Sequence, residues 1–170
     1  PPPIDPSDFY SKIPSATWVK VSSSASPTPP NGIAAFSGMA LDERNGQLLL
    51  FGGGHNDYWG NEVWAWKIST STWHKMYEPD PLLGISLAAC QAGVDNTNYP
   101  GMWKASNRPI SRHTYDAVEY ISHLGVMMAG GASTYSGPNE FLWDTNSNGP
   151  GCYFNSPADI WFYNPDSTTW

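Results

Sequence analysis

The chain has 170 residues, a length that fits one domain or part of one. It carries 8 basic against 15 acidic side chains, and the formal charge of −7 argues against a broad electrostatic interaction with nucleic acid or an anionic membrane. Aromatic residues make up 14% of the chain, beside 16 glycines and 16 prolines, which is typical of a turn-rich folded protein and not of a disordered one. No apolar run is long enough for a membrane span, so none is expected.

Residues 1–32 form a segment rich in proline and serine, with one β-rich run, TWVKV, at 17–21. Because proline fixes φ and lacks an N–H donor, we expect an extended segment with a short strand at 17–21. From residue 33 onward, short apolar runs alternate with Gly, Asn, Asp and Pro, and no helical period of 3.6 residues appears. The pattern predicts an all-β fold.

Two stretches of the chain repeat each other. Residues 36–53 align with 114–131 at an offset of 78, and residues 61–73 align with 158–170 at an offset of 97. Each copy has an apolar strand, a tight turn, an apolar strand ending in Gly-Gly, a loop, an aromatic strand and a polar turn before a Trp. Because the order of elements is kept, the pattern indicates an internal repeat.

Each copy of the repeat predicts four strands. Those of the first copy are expected near residues 35–42, 47–52, 62–68 and 72–77. Those of the second copy are expected near 113–121, 125–130 and 158–164, with a last one starting near Thr169. In the third strand of the first copy, Trp64 and Trp66 share one face, and Val63 and Ala65 share the other. Both faces are apolar, as expected of a sheet packed between two others.

The pattern resembles the kelch repeat, in which an apolar strand, Gly-Gly, a spacer and an aromatic strand precede a Trp. The matching residues of the first copy are Gly52, Gly53, Trp64, Trp66 and Trp73. Those of the second copy are Gly130, Gly131, Trp161, Tyr163 and Trp170. The resemblance covers about residues 34–170 apart from insertions. It implies kelch-type β-propeller blades, each a four-stranded antiparallel sheet, around a central channel.

The resemblance divides the chain into a terminal segment and two blades. The first blade spans 33–77, an insertion spans 78–111, and the second blade spans 112–170 with a long insertion at 132–157. Propellers have roughly 4–8 blades, and the second blade stops at the start of its last strand. We therefore expect a fragment of a larger propeller, completed by further blades of the same protein or by a homo-oligomer. The strand at 17–21 would suit closure of the ring.

Strands of a blade alternate in direction, so the long loops are expected to share one face of the molecule, where function is usually carried. Cys90 and Cys152 lie in two of these loops. We predict a Cys90–Cys152 disulfide, because exported proteins keep such pairs. The alternative is two reduced thiols in a cytosolic protein. The disulfide goes with an extracellular or cell-surface location.

Two motifs, GGGHNDYWG and SRHTY, carry groups suited to acid–base chemistry and are expected near the mouth of the channel. Both look like stretches of bacterial exported kelch proteins. More distant relatives are ulvan-degrading polysaccharide lyases, which use His and Tyr as acid and base and Arg to neutralise a uronate. The candidate catalytic residues are His55, Arg112, His113 and Tyr115. The structural alternative makes Arg112 and Asp57 polar partners between blades and His113 a packed strand residue.

Aromatic planes on the long-loop face could stack on sugar rings. The candidate ligand-binding residues are Asp57, Tyr58, Trp59 and Trp103. The alternative is that the aromatic rings cover small cores of the insertions themselves.

The run DTNSNG resembles the start of a calcium loop, in which oxygen ligands at alternate positions surround the cation. The candidate calcium ligands are Asp144, Asn146 and Asn148. Position twelve is Asn155, where such loops have a bidentate Glu, so an Asn/Gly turn is the alternative. Galactose-oxidase-like enzymes share the repeat, but nothing marks the cross-linked Cys–Tyr pair of their copper site, and copper is not expected.

The resemblance implies two functions of different classes. One is an extracellular binding or scaffolding propeller that recognises carbohydrate or joins copies of itself. The alternative is a polysaccharide lyase with a His/Tyr/Arg site at the channel mouth. The charge of −7 disfavours a polyanionic substrate.

Overall fold

The computed structural model describes residues 15, 18, 27–30, 32–34, 36–52, 60–80, 94–95, 102–103, 106–131 and 160–170, with the backbone alone at 94–95 and 102–103. Within these ranges the protein is all-β and has no helix, which confirms the predicted class. None of the described segments is therefore a helix long and apolar enough to cross a membrane. Of the strand predicted at 17–21 only Trp18 is described, so this prediction lies outside the described residues.

Sheet 1 is a four-stranded antiparallel sheet in sequential order. Its strands are β1 (Gly38–Asp42), β2 (Gln47–Phe51), β3 (Trp64–Lys67) and β4 (Thr72–Lys75). Leu50 lies opposite Trp64, and Trp66 lies opposite Trp73. All four strands lie within the ranges predicted from the sequence. The observed strands are one to three residues shorter than the predicted ranges, except β1 at its end and β2 and β4 at their starts, which agree.

A small antiparallel sheet follows in the segment for which the sequence predicted only an insertion. Its strands are β5 (Val94–Asp95), β6 (Met102–Trp103) and β7 (Arg108–Pro109). Each has two residues, too few for a periodic pattern to be visible in the sequence.

Sheet 2 is antiparallel, with the order β10-β9-β8. Its strands are β8 (Val118–Ile121), β9 (Val126–Ala129) and β10 (Trp161–Tyr163). The strand predicted at 113–121 begins later than expected, because the Ala117 amide donates to the Thr114 carbonyl and forms a turn. The fourth strand predicted near Thr169 is reduced to a single bridge between Asn164 and Thr169.

The two sheets repeat one another in backbone conformation. Positive φ at Phe36, Gly46 and Gly52 recurs 79 positions later, at Tyr115, Gly125 and Gly131. Ser71 and Thr168 likewise match at an offset of 97. The offset of 78 for the first two strands was therefore wrong by one, because aligning the Gly-Gly doublets put Gly52 on Gly130. Residues related by 79 in the first two strands, or by 97 in the later ones, are called counterparts below.

The corrected offset changes which faces correspond, since a shift of one residue exchanges the two faces of a strand. Sheets 1 and 2 pack face to face around a common core. The core residues are Ala40, Leu49, Phe51, Val63 and Ala65 of sheet 1 and Val118, Tyr120, Met127, Ala129 and Tyr163 of sheet 2. Val118 and Tyr120 are counterparts of Met39 and Leu41, which lie on the other face of sheet 1. The sheets thus meet through unlike faces.

Trp170 packs at the edge of this core. Its ring centroid lies 4.6 Å from that of Phe51 and 5.2 Å from that of Tyr163, and its Nε1 donates to the Tyr77 hydroxyl at 2.5 Å. Its counterpart Trp73 packs on the other face of sheet 1, with the buried residues Ile33, Leu50 and Trp64. The Trp that ends each copy therefore covers the same face of its own sheet.

Candidate functional site

The segment Ser111–Thr114, which leads into sheet 2, is buried although all four residues are polar. Thr114 ties it to sheet 1: its Oγ1 accepts from the Gly38 amide at 2.9 Å and donates to the Phe51 carbonyl at 3.1 Å. The Tyr115 amide donates to the Phe36 carbonyl at 3.0 Å. These bonds fix the start of sheet 2 against the first two strands of sheet 1.

Arg112 is buried at this position, and its guanidinium interacts with main-chain oxygens. Its Nε donates to the Ile110 carbonyl and its Nη1 to the Gly131 carbonyl, both at 3.4 Å. Its Cζ lies 5.8 Å from the centroid of the Trp161 ring, within reach of a cation–π interaction. The contacts give the buried charge polar and aromatic neighbours.

His113, Tyr115 and Phe36 form an aromatic cluster beside Arg112. The His113 ring lies 4.7 Å from that of Phe36 and 5.5 Å from that of Tyr115, and the Phe36 and Tyr115 rings are 5.9 Å apart. The Tyr115 hydroxyl and His113 Nδ1 are 3.3 Å apart, at the long end of a hydrogen bond. His113 is buried, whereas Phe36 and Tyr115 are exposed. The cluster therefore offers two aromatic side chains to solvent above a buried imidazole.

The two exposed rings stand on an unusual backbone. Phe36 has φ of 58° and Tyr115 has φ of 45°, values that bulky residues rarely adopt and that cost on the order of 1–3 kcal/mol. A side chain at Gly38 would overlap the Tyr115 carbonyl, and one at Gly131 would overlap the His113 carbonyl. The main chain is thus packed so closely here that its conformation is imposed by its neighbours.

The repeat shows what is special about the second copy. Arg112 and His113 are counterparts of Ile33 and Ala34. Ile33 is buried against Leu50 and Trp64, and Trp64 is the counterpart of the Trp161 ring beside Arg112. At this position sheet 1 has the apolar side chain of Ile33, packed with Leu50, Trp64 and Trp73. The cationic and imidazole groups of sheet 2 are therefore not required by the packing of the repeat.

Of the site residues predicted from the sequence, the structure brings together Arg112, His113 and Tyr115. For Trp103 only the backbone is described, which pairs with Val94 and Arg108. The other predicted residues lie outside the described ranges: His55, Asp57, Tyr58, Trp59, Cys90, Asp144, Asn146, Asn148 and Cys152. In the part of the chain that is described, no group of three His, Cys, Asp or Glu residues is arranged to hold a metal ion.

Phe36 is a member of the cluster that sequence reasoning missed. At an offset of 78 it aligned with Thr114, which hid its relation to Tyr115. At an offset of 79 an aromatic residue stands at the same place in both copies, and this match is the signal that would have identified Phe36.

Comparisons of the chain with protein-family models, with curated proteins and with solved structures find no match.

Proposed function

We propose that sheets 1 and 2 are blades of a kelch-type β-propeller that acts as a non-catalytic carbohydrate-binding module. The propeller is supported by the sequence repeat, by the recurrence of positive φ at counterpart positions and by the meeting of the sheets through unlike faces. Successive blades of a propeller are related by rotation, so each must present one kind of face to its predecessor and the other kind to its successor.

The observation that carries the binding function is the exposed pair Phe36 and Tyr115, held on a constrained backbone around His113. Exposed aromatic faces bind the apolar faces of sugar rings, and a rigid side chain loses little entropy when it does so. The hydroxyl of Tyr115 adds a polar group at the edge of the platform. Buried His113 supports the two rings and does not compete with them for the ligand.

The proposal includes an extracellular or cell-surface location. Its support is the sequence alone: Cys90 and Cys152, with the predicted bond between them, in a chain resembling exported proteins.

The second candidate, a polysaccharide lyase, is favoured by the 3.3 Å contact between the Tyr115 hydroxyl and His113 Nδ1. In that reaction the pair would take the proton from C5 of a uronate and protonate the leaving oxygen on C4. The burial of Arg112 against the Ile110 and Gly131 carbonyls makes it poorly suited to meet a substrate carboxylate. The net charge of −7 also repels a polyuronate.

The test has two steps. A glycan array selects neutral oligosaccharides that bind the chain, and isothermal titration calorimetry then measures their affinity for wild type and variants. We expect Tyr115→Ala to weaken binding about five- to tenfold, the loss of one stacked ring. Tyr115→Phe, which keeps the ring, should bind within about twofold of wild type. Absence of binding to every glycan, or equal binding by the Ala variant, would contradict the proposal.

The same variants separate the two functions. A lyase would release an unsaturated uronate from an ulvan oligosaccharide, seen as a rise in near-ultraviolet absorbance. Loss of the general acid–base in Tyr115→Phe would then reduce turnover by roughly 10²–10⁴-fold. We expect no turnover in wild type, so a rise that Tyr115→Phe abolishes would establish the lyase instead.

A further inference from the structure

Counterpart residues of the two sheets differ sharply in exposure on one face. Met39 and Leu41 of β1 are 45% and 47% exposed. Their counterparts Val118 and Tyr120 are buried, because the Ala40 face of sheet 1 covers them. We call Met39, Leu41 and Leu48 the outer face of sheet 1. The equivalent face of sheet 2, which carries Val118 and Tyr120, is buried against sheet 1.

The opposite difference in exposure is found on the side of sheet 2 that faces away from sheet 1. Ile160 and Phe162 are 60% and 49% exposed, while their counterparts Val63 and Ala65 are fully buried against sheet 2. Met128 pairs with Phe162 across β9 and β10 and lies on the same side. We call Met128, Ile160 and Phe162 the outer face of sheet 2. The equivalent face of sheet 1, which carries Val63 and Ala65, is buried against sheet 2.

We propose that the outer face of sheet 1 binds the outer face of sheet 2 of a second copy of this chain. The interface between sheets 1 and 2 already joins these two kinds of face within one molecule, and the contact between copies continues the same packing. A second copy is the partner that carries the complementary face at the same spacing. The inference goes beyond carbohydrate binding, and the aromatic cluster plays no part in it.

The contact joins two different surfaces, so it is heterologous and repeats head to tail. Such an interface closes into a ring if its rotation divides a full turn, and otherwise extends.

Glu119 is a residue that disfavours this contact between copies. Glu119 stands opposite Met128 in the register of β8 and β9, on the outer face of sheet 2, where its counterpart in sheet 1 is the buried Ala40. Burial of this carboxylate makes the contact weaker than the one inside the molecule.

The experiment is analytical ultracentrifugation of the full chain over a concentration series. Wild type should associate reversibly. Leu41→Glu and Phe162→Glu each place a charge on one outer face and should weaken association on the order of a hundredfold. Glu119→Ala should strengthen it about tenfold or more. Thr70→Glu adds a charge in the exposed turn between β3 and β4, outside both faces, and should leave association unchanged.

Mixing the variants tests the head-to-tail geometry directly. Each variant retains the face that the other lacks, so Leu41→Glu and Phe162→Glu, both monomeric alone, should form a one-to-one dimer that grows no further. Circular dichroism confirms that the variants are folded, and Leu41→Ser and Phe162→Ser replace any that are not. Wild type that stays monomeric up to its solubility limit overturns the proposal. The proposal is also wrong if wild type dimerises but a mixture of the two variants does not, because that result would indicate a symmetric contact.

Discussion

At the scale of single residues, Thr114 joins sheet 2 to sheet 1 through one hydroxyl. It accepts from the Gly38 amide and donates to the Phe51 carbonyl, and it is fully buried. Thr114→Val has nearly the same shape but leaves both main-chain groups without this partner. We expect the free energy of unfolding to fall by about 1–3 kcal/mol, measured by urea denaturation. Thr114→Ser keeps the hydroxyl and should lose less, so an equal loss in both variants would show that the methyl group matters more.

The residues of the candidate site were only partly accessible to prediction. Arg112, His113 and Tyr115 were predicted because the SRHTY motif opens the first strand of the second copy and carries Arg, His and Tyr, residue types suited to acid–base chemistry. Phe36 was not found, because its proximity depends on the register between copies. The sequence left open whether the SRHTY segment is exposed or packed, and the burial of His113 agrees with the structural alternative, in which it is a packed strand residue.

At the scale of elements, Asp42 organises the turn between β1 and β2. Buried at the strand end, it accepts hydrogen bonds from Gln47 Nε2 at 2.7 Å, Asn45 Nδ2 at 2.8 Å and the Asn45 amide at 3.1 Å. Burial alone would raise the pKa of its carboxyl, but the hydrogen bonds outweigh it, and the pKa lies below the ordinary value of 3.8.

A lowered pKa means that ionised Asp42 stabilises the fold above its unfolded pKa, and that this stabilisation is lost as pH falls through the folded pKa. We expect Asp42→Ala to lower the free energy of unfolding by about 1–3 kcal/mol at neutral pH. The difference from wild type should shrink as the pH is lowered below about 4. Urea denaturation at stepwise lower pH measures this, and a difference independent of pH would contradict it. Asp116→Ala, which removes an exposed acid outside both outer faces, is the control.

Strand positions could be predicted because alternation of side chains and turn residues are local properties. β1 and β2, for example, lie on either side of the turn that contains Gly46, where the apolar residues Leu41 and Leu48 pair across the strands. The offset between copies was harder, because the doublet Gly52-Gly53 aligns with Gly130-Gly131 in sequence. The structure aligns them by the turn glycines Gly46 and Gly125 instead. Two adjacent glycines can be aligned in either of two registers because they carry no side chains. A positive φ marks one defined backbone position in each copy and so fixes the offset between the copies.

At the scale of the whole molecule, the two sheets are held by an apolar core with tyrosines among its members. Tyr77 and Tyr163 have ring centroids 5.9 Å apart, and Tyr120 lies on the same side of sheet 2 as Tyr163. The turns add exposed polar contacts, among them the ion pair between Arg44 and Asp166 at 2.8 Å. Exposed pairs of this kind contribute little, so the stability of the sheet pair depends on its core.

The buried tyrosines make this core sensitive to alkali. Burial, and then the neighbouring Asp42 carboxylate through its hydrogen bond and its charge, raises the pKa of Tyr120 to about 12. Burial raises the pKa of Tyr77 and Tyr163 well above the ordinary 10. Because the neutral phenols are favoured in the folded state, their stabilisation is complete below the unfolded pKa and is lost as pH rises through the folded values. We expect the free energy of unfolding to be level up to about pH 10 and then to fall.

Phenolate absorbance and circular dichroism, recorded together during an alkaline titration, measure the effect. The buried tyrosines should ionise only as the sheet signal is lost, so part of the absorbance change and the unfolding transition should coincide. Tyr120→Phe removes one of the groups and should make the fall in stability between about pH 10 and 12 shallower. Complete ionisation near pH 10 with the sheet signal intact would show that solvent reaches the phenols, and that the two sheets do not enclose the core described here.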